Sequence, residues 1–69
     1  MEFKDRLKSL RLKNGITQKE LGTTLNVSRS SISLYELGYS MPSREVLDSL
    51  AKYFNVSLKY LLNGQEACH

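Results

Sequence analysis

The sequence predicts an all-α domain, on three observations. Apolar residues recur at helical spacing along the whole chain, no stretch alternates as a strand would, and glycine, asparagine and proline break the pattern at short intervals. Sixty-nine residues make one domain with a small core. A hydrophobic share of 41% and a charged share of 25% are those of a folded globular chain. The expected organisation is a compact body over residues 1–64 and a flexible tail over 65–69.

Helix 1 is expected from Glu2 to Asn14, with Phe3, Leu7 and Leu10 in one buried stripe and Lys4, Lys8 and Arg11 among the others. Gly15 stops it. Thr17-Gln18-Lys19-Glu20 is a capping box that opens helix 2, which buries Leu21 and Leu25. Gly22 costs about 1 kcal/mol relative to alanine inside a helix, so its presence predicts a close helix crossing. Asn26 suits a left-handed turn, and Ser28 caps helix 3, whose buried stripe is Ile32 and Tyr35 with Leu34 and Leu37 off that line. Gly38 ends helix 3. Tyr39-Ser40-Met41-Pro42 is a loop, and Ser43 caps helix 4, where Val46, Leu47, Leu50, Ala51 and Phe54 form a wide apolar face. Asn55-Val56-Ser57 repeats the earlier turn and leads into helix 5, about Ser57 to Leu62, carrying Leu58, Leu61 and Leu62 before Asn63-Gly64.

Two short helices joined by a tight turn place the second helix where it can enter a DNA major groove. The run Ser28-Arg29-Ser30-Ser31 that opens helix 3 has no use in a buried face and suits a docked one. Ten lysines and arginines against seven acidic residues give a net charge of +3, a mild bias toward a polyanion. No run approaches the ~18 apolar residues of a membrane helix, and the N-terminus lacks the apolar block of a signal peptide, so a cytoplasmic location is expected. Cys68 is the sole cysteine and His69 the sole histidine, adjacent at the chain end, so neither a disulfide nor a metal cage is expected. Dispersed acidic residues and the absence of a phosphate loop or nucleophile motif point away from an enzyme and from any cofactor.

Taken in register, Arg11, Gly15, Thr17-Gln18-Lys19-Glu20-Leu21, Val27-Ser28, Ser31-Ile32, Glu36, Gly38, Pro42 and Leu61-Leu62-Asn63-Gly64 resemble one family. It is the Cro/C1-type helix-turn-helix of lambda repressor-like proteins (the XRE family), and the resemblance runs from Phe3 to Gly64. It implies a compact five-helix fold and a transcriptional regulator, a repressor of phage, prophage or mobile-element type. Helix 2 would then lie across the DNA backbone, with Thr17, Gln18 and Lys19 at its start and Gln18 on a phosphate. Helix 3 would present Arg29, Ser30 and Ser33 to the bases, with the capping Ser28 also among the DNA-binding residues. Leu34 beside them would meet a thymine methyl or complete the core. Arg29 is the sharpest candidate, since a guanidinium bonds guanine O6 and N7 together. Arg11 and Glu36 correspond to the family's structural ion pair.

The chain departs from the family pattern at Leu37, often a phosphate-binding asparagine, at Tyr39, often basic, and at Gly22, more often alanine. Tyr39, Ser40 and Arg44 are candidate replacements for the lost phosphate contacts. Family members read a pseudo-palindromic operator in double-stranded DNA as homodimers. Helix 5 and the loop before helix 4 are the candidate subunit surface, through Tyr39, Leu58, Tyr60 and Leu61, although the protomer's own core is the favoured place for Leu58 and Leu61. The alternative is a protein-interaction module, such as an antitoxin or controller protein whose helix-turn-helix docks a protein partner, with Leu12, Leu34 and Leu37 as its surface.

Overall fold

The computed structural model describes residues 2–64. Within them lie five helices and no strand: α1 (Phe3–Lys13), α2 (Gln18–Leu25), α3 (Arg29–Leu37), α4 (Arg44–Phe54) and α5 (Leu58–Asn63). The expected tail, with Cys68 and His69, lies outside the described residues. The ends of the helices follow from local chemistry. Thr17, Ser28, Ser43 and Ser57 each accept a hydrogen bond from the amide three residues on, which satisfies a donor that has no partner inside the helix. Asn26 (φ 60°) and Asn55 (φ 57°) close α2 and α4 in the left-handed conformation that asparagine tolerates better than other side chains. Helix α1 is one residue shorter at each end than the sequence suggests, because Glu2 and Asn14 are its caps.

The core is one cluster. Phe3 and Leu7 of α1 meet Leu21 of α2, Ile32 and Tyr35 of α3, Leu47, Leu50, Ala51 and Phe54 of α4, and Leu61 of α5. Leu10, Leu25, Val46, Leu58 and Leu62 pack partly buried at its edge. Each helix thus buries the face its apolar spacing marks, and α1 holds the bundle together by packing on both α3 and α5. Two charged side chains are buried with them, Arg6 and Arg11. Arg6 lies at i+3 from Phe3, on the apolar stripe itself. Its Nε donates to Leu61 O at 3.0 Å and its Nη2 to Leu62 O at 2.6 Å, so α1 supplies donors to carbonyls in the last turn of α5. Those carbonyls have no intrahelical partner of their own, and a buried charge is tolerated where it is hydrogen-bonded.

Candidate nucleic-acid interface

The α2–α3 corner is tightly drawn. Val27 N–H donates to Gly22 O at 2.8 Å, and a Cβ added at Gly22 would stand 2.7 Å from Val27 O. The close approach is therefore made by the backbone of the turn and the entrance of α3, where a crossing helix had been expected. Without a side chain at position 22 the turn folds onto α2 and fixes the direction in which α3 leaves. Ile32 and Tyr35 point inward from α3, while Arg29, Ser30, Leu34 and Leu37 are exposed and Ser33 is half-buried. Leu34 is 42% exposed, which settles its place on the outer face.

The start of α2 stands beside this face. Thr17 and Glu20 cap each other reciprocally, at 3.0 Å for Glu20 N to Thr17 Oγ1 and 2.8 Å for Thr17 N to Glu20 Oε1. The first-turn amides of Gln18 and Lys19 have no acceptor within the helix, and together with the dipole they form an end that favours an anion. Gln18, Arg29, Ser30, Ser33 and Leu34 line one open cleft of about 340 Å³ between α2 and α3. Lys19 and Arg29 share the wall of a neighbouring cleft with Leu12 and Ile16.

Behind these clefts lies the pair that the family resemblance implies. Arg11 Nε donates to Glu36 Oε2 at 2.6 Å and Arg11 Nη2 to Glu36 Oε1 at 3.1 Å, a fork in which both side chains are at least nine-tenths buried. Arg11 Nη1 also donates to Ile16 O at 3.0 Å, tying the end of α1 to the approach to α2. The Arg11 pKa is raised above the ordinary arginine value, first by the hydrogen bonds it donates to Glu36. Desolvation opposes this, and attraction to the carboxylate adds to it. Sequence reasoning missed a third member, Gln18, whose Nε2 donates to Glu36 Oε1 at 3.1 Å. The pair thus reaches from the core to the start of α2. No sequence spacing signals it, since the partners lie 18 residues apart.

The remaining candidates are less concentrated. Ser28 Oγ accepts the Ser31 amide at 3.1 Å, so this hydroxyl is committed to the cap. Tyr39 and Ser40 are exposed on the loop, Tyr39 at 78%, and Arg44 is exposed with a long contact to Asp48 at 3.4 Å. Tyr60 and Leu58 are half-buried, Leu58 against the core. Leu61 has no exposed surface, so it belongs to the protomer's core and not to a subunit surface. Leu12 and Leu37 are exposed away from the core. Among the described residues, no helix is long and apolar enough to cross a membrane.

An inward face that packs, an outward face of small polar residues and one arginine, and an anion-favouring helix start beside it define the chain as a helix-turn-helix domain. The chain belongs to the helix-turn-helix family, whose model matches residues 7–61. It is 41% identical over 66 residues to the HTH-type transcriptional activator BcrR of Enterococcus faecalis, covering 96% of this chain and 32% of that protein. It is likewise 41% identical over 66 residues to the HTH-type transcriptional regulator ImmR of Bacillus subtilis, covering 96% of this chain and 52% of that protein. The chain therefore spans between a third and about half the length of these relatives. Among solved structures it resembles the P22 c2 repressor in complex with a synthetic operator. The TM-score is 0.89 and the identity 34%, over 94% of this chain and 98% of that one.

Proposed function

We propose that this chain is the DNA-reading part of a transcriptional regulator that binds a pseudo-palindromic operator as a homodimer. The observation that carries the reading is the outward stripe of α3, with Arg29, Ser30, Ser33 and Leu34 beside the anion-favouring start of α2. In this reading α3 lies in the major groove, and the first-turn amides of α2, with Thr17, Gln18 and Lys19, hold a phosphate. Ser28 helps fix the entrance of α3, and Tyr39, Ser40 and Arg44 flank the backbone on the other side. Phosphate contacts set the register, and Arg29 reads a base edge. One helix reads too few bases to define a genomic site, so a second copy supplies the other half-site about 34 Å away. Tyr39, Leu58 and Tyr60 remain the candidates for the contact between copies.

A bound dimer regulates by occupying the promoter, either excluding polymerase or contacting it favourably. Selection from a randomised duplex library, followed by a salt titration on the enriched sequence, tests this directly. The expected result is a palindrome with half-sites one helical turn apart and an affinity that falls steeply with salt. Weak, uniform, sequence-independent binding would overturn the reading. The exposed Leu12 and Leu37 favour a second one, a docking module for another protein, which predicts no salt-steep affinity for DNA.

A further inference from the structure

Resting on that reading, we propose that Arg6 is a positioning residue for the pairing of two copies on DNA. It clamps α5, which carries the candidate subunit side chains Leu58 and Tyr60, while the reading of each half-site depends on elements held elsewhere. Helix α5 has little else to hold it. Its six residues fall well short of the roughly 12–15 that an isolated helix needs in water. Leu61 is its buried residue, and Leu58 and Leu62 only edge the core. Its last turn contains no basic residue, so the cation that complements the negative end of its dipole comes from α1. One guanidinium serves two consecutive carbonyls there, with Arg6 Nε donating to Leu61 O at 3.0 Å and Nη2 to Leu62 O at 2.6 Å.

The end of α5 is folded onto the clamp. Gly64 closes the helix at φ 76°, and a Cβ added there would stand 2.9 Å from Arg6 Nη1. Arg6, Asn63 and Gly64 line an open cavity of about 260 Å³ together with Tyr60. The guanidinium and one of the candidate pairing side chains thus face the same space. The reading face is supported separately. Helices α2 and α3 pack chiefly on each other, with α3 also on α1, whereas α5 packs chiefly on α1 and α4. Arg11, Glu36 and Gln18 tie the α2–α3 corner to α1 with no member from α5. Loss of the Arg6 bonds therefore lets α5 open as a local unit while α3 keeps its place. A copy with α5 open still reads one half-site, but it no longer holds Leu58 and Tyr60 at a fixed position.

The test compares the chain on duplexes that carry one or two copies of its selected half-site. Wild type is expected to bind the second half-site more tightly than the first, by a factor within the roughly 5–150 of such couplings. Arg6→Met keeps an apolar stem and removes the donors, and should bring that factor to about one, the value for uncoupled sites. Its affinity for the single half-site should stay within about twofold of wild type, as for sites that share no partner. Gly64→Ala strikes the clamp from α5, through the added Cβ and the left-handed φ, and removes no core side chain. It should reproduce the loss of coupling, and it replaces Arg6→Met in each comparison if that variant does not melt cooperatively. Half-site affinity that falls in step with the coupling would make Arg6 a strut of the whole fold and overturn the positioning role. Coupling kept in full would overturn the clamp and leave the regulator reading standing. A wild type that selects a sequence yet shows no coupling would overturn the pairing and this inference with it. Failure to select any sequence would overturn the regulator reading itself and the clamp's role in it.

Discussion

At the scale of single residues, two ion pairs of similar composition differ sharply in consequence. Glu36 and Arg11 are both nearly enclosed and share a forked pair of hydrogen bonds, so deleting the carboxylate leaves a guanidinium buried without its counter-charge. Such a loss costs about 3–5 kcal/mol. Glu36→Ala is therefore expected to lower stability by about 3 kcal/mol, which for a domain of this size moves the thermal midpoint by more than about 10 °C. An unchanged midpoint in a calorimetric scan would refute the role assigned to the pair. Arg44 and Asp48 sit at i and i+4 on α4 with side chains 76% and 51% exposed, at a longer 3.4 Å. Solvent screens that pair, and Asp48→Ala should change stability by less than about 0.5 kcal/mol in the same experiment. Burial, not the presence of opposite charges, separates the two outcomes.

At the scale of elements, what was legible in the sequence is what local chemistry decides. The four Ser/Thr caps, the left-handed turns at Asn26 and Asn55 and the inward stripes all depend on residues within a few positions of one another. Arg6 was not legible, because its partners are carbonyls 55 and 56 residues away, although a charge at i+3 on an apolar stripe was the available signal. Of the interface, the outward face of α3 could be read from spacing, but the link from Glu36 to Gln18 exists only once α1, α2 and α3 are packed. Gly22 shows the same limit: its small size was readable, and the neighbour requiring it was not. Gly22→Ala gains about 1 kcal/mol of helix propensity but sets a methyl against the Val27 carbonyl, a backbone atom that yields little. Overpacking of that kind costs about 1–3 kcal/mol, so the net effect should be destabilising. A chemical denaturation midpoint at or above that of wild type would show that the turn relaxes. Arg6→Met removes the donors that tie α5 to α1, and hydrogen exchange should report it as early loss of protection in α5 amides before the rest of the bundle opens. Uniform loss along the chain would mean that α5 is not a separable unit.

At the scale of the whole molecule, size and charge bound the proposed pairing of two copies on DNA. The body measures 33 × 22 × 21 Å, so two copies whose α3 helices lie about 34 Å apart abut only along their edges. In the proposed pairing the contact rests on three side chains a copy, Tyr39, Leu58 and Tyr60, against the roughly 20–30 residues a side of a stable interface. Association should therefore be completed by DNA, which removes most of the freedom that pairing in solution has to restrict. Sedimentation of the free chain at micromolar concentration is expected to give the 7.9 kDa monomer, with two chains per duplex once an operator is added. The salt dependence then counts the contacts. If the pair neutralises roughly 6–10 phosphates, log K should fall against log salt with a slope of about −5 to −9. A duplex holding one half-site should show about half that slope and take up a single chain. A full slope on the half-site would mean that one copy makes all the backbone contacts, and the two-copy arrangement would have to be abandoned.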